Sequence, residues 1–202
     1  MFLMPDLRFV TFASPPASAC WTHRGLRTGF EVAYFTIEGA TTRADGTTTG
    51  LQDGETWIVS YSLVLDEVWR TRTARVSSRS ASGQTARVLE SDGNGHWTVD
   101  GKAATDLDGC FDIDLESSAL TNALPIHRLH LQVGERAEAP AAYVRVSSLS
   151  VDRLEQSYFR VTSAGDGQQF DYEAPAFNFR CRLQYDDRGL VVNYPGIASR
   201  SA

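Results

Sequence analysis

With 202 residues, 42% of them hydrophobic, the chain is long enough for one sizeable core and too short for several. A net charge of −6 and a pI near 5.2 argue against a general nucleic-acid binder. Three scattered cysteines, Cys20, Cys110 and Cys181, form no CxxC pair, which argues against a zinc knuckle or dithiol redox site and reads as free thiols in a reducing compartment.

From the N-terminus, Ala17-Ser18-Ala19-Cys20 faintly resembles a lipoprotein cleavage site, but Pro5, Asp6 and Arg8 interrupt any apolar stretch before it. Residues 1–20 therefore read as a loosely ordered segment ahead of a single domain over 21–202. No stretch approaches the roughly 18 apolar residues of a membrane helix, so the protein is expected to be soluble and cytoplasmic, without a transmembrane segment. Strand signals begin at Glu31–Ile37. Thr41–Thr49 is polar and contains glycine, and reads as a mobile loop. In Thr56–Asp66 the odd positions Trp57, Val59, Tyr61, Leu63 and Leu65 are apolar, the period of a strand with one buried face. Shorter strands are predicted at Trp69–Ser77, Thr85–Glu90, His96–Asp100 and Leu107–Leu115. Helical signal is confined to one turn over Ser117–Ala123, and Pro125 should push Leu124 toward extended backbone. Further strands are predicted at His127–Val133, Tyr143–Val146, Ser157–Thr162, Gln169–Glu173, Phe177–Tyr185 and Leu190–Asn193. Phe177–Tyr185 carries Arg180 and Arg182 on the face opposite its aromatic residues. Asp-Gly pairs, from Asp45-Gly46 to Asp166-Gly167, are hairpin cues between these runs. The fold class is all-β: many short antiparallel strands in one domain, curled to limit exposed edges.

Chemistry concentrates around Leu107–Leu129. As a strand, Leu107–Leu115 places Asp108, Cys110, Asp112 and Asp114 on one face and Phe111, Ile113 and Leu115 on the other. Same-face neighbours lie roughly 6.5–7 Å apart, within the range of about 6.5–9.5 Å for an inverting glycosidase's carboxyl pair and compatible with a hard cation. The same spacing fits a solvated face, a lattice with arginines of the next strand, or the wall of a ligand pocket. Arg70 and Arg72 share a strand face beside Trp69, a packing anchor, and could supply that lattice or a second wall. Asn122 reads as a turn residue or as an amide aimed into a pocket. His127 and His130 are three apart, on opposite faces of a strand, and so are poor joint metal ligands. No nucleophile elbow, HExxH, P-loop or dinucleotide motif occurs. No metal and no cofactor are expected, and Asp112 and Asp114 are the only catalytic candidates.

Taken together, Asp66-Glu67-Val68-Trp69-Arg70-Thr71-Arg72, Asp92-Gly93-Asn94-Gly95-His96-Trp97 with Asp100-Gly101, Leu107–Asp114, Thr121–Leu129, Gln156-Ser157-Tyr158 and Gly189–Gly196 resemble the bacterial putative glycolipid-binding family. The pattern departs before Trp21, and at His127, where the family carries arginine. The resemblance implies a spiral β-roll, similar in shape to periplasmic lipoprotein carriers whose half-open barrels hold acyl chains. It implies a lipid- or glycolipid-binding protein with an internal cavity, and no established catalytic residues. Trp57, Tyr61, Phe177 and Phe179 would hold the apolar part of such a ligand. Asp112, Asp114, Asn122, Arg70 and Arg128 would meet its polar head, with Trp69, Arg72, Asp108, Cys110, Tyr158 and Tyr194 as further binding candidates. Two alternatives stay open: an enzyme acting on a sugar or lipid through Asp112 and Asp114, and a structural or interaction module with a filled roll. Oligomeric state is not legible.

Overall fold

The computed structural model describes residues 12–161 and 167–201. Most of the expected N-terminal segment, together with Thr162 and Asp166, lies outside the described residues. Strand β1 (Ser18–His23) begins inside that segment. It is followed by β2 (Thr28–Glu38), β3 (Thr41–Gln52), β4 (Glu55–Leu65), β5 (Thr71–Ser80), β6 (Gly83–Ser91), β7 (Trp97–Val99) and β8 (Lys102–Ala103). After β9 (Asp112–Leu115) and helix α1 (Ala123–Leu129) come β10 (Arg136–Glu138), β11 (Ala141–Val144), β12 (Val151–Leu154), β13 (Ser157–Val161), β14 (Gln168–Ala174), β15 (Phe179–Tyr185), β16 (Val191–Tyr194) and β17 (Ala198–Arg200).

Fourteen of these strands form one antiparallel sheet in the order β10-β13-β14-β15-β16-β17-β1-β2-β3-β4-β5-β6-β7-β8. The first and last strands pair in its middle, Trp21 opposite Arg200, and the sheet does not close into a barrel among the described residues. A smaller sheet, β12-β11-β9, contains a parallel pair, β9 with β11, where only antiparallel pairing was expected.

Three expectations are corrected. Thr41–Thr49 is not a loop but most of β3, a twelve-residue strand. Its Gly46 and Gly50 stand directly opposite Tyr61 and Trp57 of β4. A Cβ on Gly50 would come within 2.2 Å of the Trp57 ring, and one on Gly46 within 2.2 Å of Tyr61. The glycines are thus niches for large rings on the neighbouring strand, which local propensity cannot register. His127–Val133 is not a strand. Residues 123–129 are helical, entered through a 3₁₀ turn at Leu120–Asn122 and ended by His130 in left-handed backbone (φ 48°). Pro125 sits in the first turn, where its missing N–H costs nothing, and Leu124 is helical rather than extended. Finally, Leu107–Leu115 is a strand only over 112–115; Thr105–Leu107 is a 3₁₀ turn.

The last correction changes what the segment does. Every residue of β9 is buried, and residues 117–127 are buried without a break. This stretch is a plug in the hollow of the sheet. The hydroxyl of Ser118 and the backbone N–H of Ala119 bond Glu31 of β2, while Asn122 is bonded by Tyr158 of β13 and Tyr185 of β15. A helix buried on all sides needs no amphipathic stripe, and the absence of one hid it from periodicity.

Candidate functional site

Beside the plug lies a pocket of about 280 Å³. Its walls are aromatic: Tyr143, Tyr172, Tyr194, Phe177 and Phe179, with Leu115 and Leu154. Tyr172, Phe179 and Tyr194 form one cluster, with centroids 6.0–6.2 Å apart. Exposure falls from the mouth inward. Leu26, in the turn between β1 and β2, is 78% exposed, and Phe177, in the turn between β14 and β15, is 46% exposed. The inner end is mixed: Arg27, Asp114 and Asn122, 9%, 8% and 4% exposed, lie there with Leu115, Leu154 and Tyr172, 1%, 3% and 3% exposed.

Each polar group at the inner end is held by a named partner. Thr121 Oγ1 donates to Asp114 Oδ1 at 3.0 Å. Asp114 Oδ2 has no partner among the described residues. Burial pushes this carboxyl up to about 6, with Glu116 and Asp112 acting in the same direction against the Thr121 hydrogen bond. Asn122 does not cap its helix. Its side-chain oxygen accepts from the Tyr158 hydroxyl at 3.1 Å and its backbone oxygen from Tyr185 at 3.1 Å. The amide nitrogen is left without a partner among the described residues, so it offers two donors to the pocket. Arg27 donates from Nε to His23 Nδ1 at 3.3 Å. The other ring nitrogen of His23 lies 3.5 Å from Glu31 Oε2. Glu31 is fully buried and also accepts from Tyr61 at 2.7 Å, Ser118 and the Ala119 N–H at 2.7 Å. Among the described residues His23 Nε2 makes no hydrogen bond, so the bond to His23 Nδ1 alone tethers Arg27 from behind; the guanidinium lies 5.8 Å from the Trp57 ring centroid, and its outer nitrogens have no hydrogen-bond partner among the described residues. The pocket therefore combines two donor groups and one acceptor with rings on which a flat or apolar group can lie.

Of the residues anticipated from sequence, Asp114, Asn122, Tyr194, Phe177 and Phe179 line this pocket. Tyr158 is buried behind it, orienting Asn122. The others lie elsewhere. Asp112 and Asp114 do not share a pocket wall: Asp112, fully buried, is gripped by Arg128 through Nε and through Nη2 at 2.6 Å. The expected lattice between the Asp face and Arg70 or Arg72 is absent among the described residues. Arg128 comes from α1, and with Arg70 it brackets the Phe111 ring at 5.3 and 5.1 Å. Arg70 also donates to Gly93 O at 3.0 Å, and Arg72 to Ser91 O at 3.1 Å. Trp69, at φ 64°, stacks on His127 at 3.5 Å between centroids and 8° between planes. Burial holds His127 down to about 3, so it is neutral and donates from Nε2 to Arg188 O at 3.0 Å. Cys110 is buried, its thiol pushed up to about 11 by burial, and Asp108 is exposed. Trp57 and Tyr61 pack in the core over their glycines. The Trp69–His127 stack and the Arg70–Phe111–Arg128 sandwich clamp the plug to the β4–β5 turn.

Sequence reading missed Arg27, Ser118, Tyr143 and Tyr172. They come from four separate segments, and no local pattern marks them as neighbours. All three cysteines are free, and no helix among the described residues is long and apolar enough to cross a membrane.

The sequence profile of a family described as putative glycolipid-binding matches residues 18–200. Among solved structures, the chain is similar to a DUF1089 family protein from Pseudomonas aeruginosa, with 29% identity and a TM-score of 0.72, covering 99% of this chain and 98% of that one. A beta-barrel-like DUF1849 protein from Brucella abortus is more distant, with 9% identity and a TM-score of 0.48, covering 91% of this chain and 92% of that one. No curated protein matches the chain.

Proposed function

Because the chain belongs to the putative glycolipid-binding family, we propose that it is a binding protein whose aromatic pocket takes one amphipathic molecule, a glycolipid or a related lipid. The observation that carries this reading is the pairing of Asp114, Asn122 and Arg27 at the inner end with the Tyr143–Tyr172–Tyr194 walls. A carboxylate beside an amide supplies acceptor and donor together, as adjacent hydroxyls require. We read the chain from β1 onward as one domain acting in the cytoplasm, in keeping with three free thiols. The test is native mass spectrometry of the purified protein, followed by titration with short-chain alkyl glycosides. The expected result is a one-to-one complex, weakened at least tenfold by Tyr172→Ala. A panel of amphiphiles with no binder overturns the reading.

A second reading, acid–base chemistry on a sugar, has one observation in its favour. Asp114 is desolvated in the pocket with its pKa raised to about 6, as a general acid requires. The partner carboxylate it would need is not Asp112, which is committed to Arg128. Release of reducing sugar from an alkyl glycoside, lost in Asp114→Asn, would support it.

A further inference from the structure

We propose that the ligand enters head-first: a hydroxyl-rich headgroup sits on Asp114, Asn122 and Arg27, and the hydrocarbon tail stays in a lipid surface on which the Leu26–Phe177 rim docks. This orientation rests on the amphiphile-binding reading above and is the reverse of a carrier that hides acyl chains in its core.

Three observations converge on it. The first is capacity. Pockets that enclose a whole drug-sized ligand run about 300–1,000 Å³. At about 280 Å³ this one encloses a single moiety of a glycolipid and not its chains as well. The second is the distribution of polarity. Among its buried lining, beside Leu115, Leu154 and Tyr172, the pocket holds an oxygen of Asp114, the amide nitrogen of Asn122 and the outer nitrogens of Arg27, none with a hydrogen-bond partner among the described residues. A hydrocarbon tail pushed in first would strip water from all three and return no hydrogen bond. A sugar headgroup replaces that water with its own hydroxyls, and its apolar ring face can lie against the tyrosines. The third is the mouth. Its two most exposed lining residues with large apolar side chains are Leu26 and Phe177. They sit on two short turns, between β1 and β2 and between β14 and β15, with the exposed Arg24 beside Leu26. The chain is acidic overall, so insertion of these side chains, rather than bulk charge, is what holds the rim to lipid. Arg24 can meet headgroup phosphates at the same depth. The rim is continuous with the pocket, so the docked protein meets the headgroup while the tail remains in the bilayer.

The test uses phosphatidylcholine vesicles with and without 10% (about one lipid in ten) of a monoglucosyl diacylglycerol, hexyl glucoside in solution, and dodecanoate. Wild type is expected to co-sediment with the glycolipid vesicles at least tenfold more than with plain ones. It should bind hexyl glucoside and bind dodecanoate at least tenfold more weakly. Leu26→Ser combined with Phe177→Ser removes the apolar rim, so its loss of vesicle binding should exceed any loss of hexyl glucoside affinity in the same variant at least tenfold; equal losses on the two probes would overturn the docking surface. Dodecanoate binding as well as the glucoside would mean tail-first entry; that overturns this proposal and leaves amphiphile binding standing. Undiminished vesicle binding by the rim variant would overturn the docking surface. If no probe binds at all, the amphiphile reading falls and the orientation with it.

Discussion

Tyr158 donates its hydroxyl to the side-chain oxygen of Asn122 at 3.1 Å, and that bond decides which end of the amide faces the pocket. The oxygen is consumed from behind, so the nitrogen is what a ligand meets. Tyr158→Phe removes the donor and leaves a buried acceptor unsatisfied, at a cost of about 1–3 kcal/mol. For a chain of this size that lowers Tm by roughly 2–4 °C per kcal/mol. The amide also becomes free to flip, so affinity for hexyl glucoside should fall along with stability. Calorimetry and titration of the same sample check both; unchanged affinity would show that the nitrogen makes no contact.

The Asp112–Arg128 pair is a stability element. Asp112 is fully buried and Arg128 nearly so. Arg128→Ala strands a carboxylate in the interior and should cost about 3–5 kcal/mol. The double variant Asp112→Leu with Arg128→Met removes both charges and should recover most of that loss. Urea unfolding of the single and double variants measures the difference. Equal stability of the two would mean that water reaches Asp112.

Stability should depend on pH through Asp114. Its carboxyl is raised from 3.8 to about 6 in the folded protein. Between those values the folded chain binds more protons than the unfolded one, so this group makes stability fall as pH rises from about 4 to 6, with no further change above. Asp114→Asn removes the slope. Relative to wild type, the variant should gain up to about 3 kcal/mol across that window. Asp112 shifts in the same direction but is present in both proteins and cancels. Urea midpoints at intervals from pH 4 to 7 report the difference; a constant offset would contradict desolvation of Asp114.

Gly50→Val tests the ring niches of β3. Its Cβ would meet the Trp57 ring, and overpacking of this kind costs about 1–3 kcal/mol. Thr47→Val, on the same strand and half-buried, should change stability by much less. Chemical denaturation of the two variants gives the comparison, and equal losses would count against a specific glycine–aromatic fit.

Much of the sheet was legible. The alternation in Thr56–Asp66 became β4 and that in Phe177–Tyr185 became β15 from Phe179 onward, Phe177 lying in the preceding turn, and the Arg-rich face of β15 pairs across to β14, Arg180 with Glu173 and Arg182 with Asp171. Those patterns are local: a strand half-buried on one face carries its period in its own residues. β3 was illegible because its glycines make sense only against the rings of β4. The helix was illegible because a segment buried on every side has no polar stripe to give its period away.

Asp112 and Asp114 show the limit most directly. Two residues apart on one strand, they were alike in sequence. In the fold one is neutralised by an arginine from α1 and the other opens into a pocket. By itself the sequence determined an all-β chain, the hairpin turns at Asp53-Gly54 and Asp100-Gly101 and the family signature, because these rest on neighbours along the chain; the same cue at Asp45-Gly46 failed, since that pair lies inside β3. Only the tertiary structure decided which polar groups meet. Arg27, Asp114, Asn122 and Tyr172 come from four separate segments, and only packing around the plug brings them to one pocket.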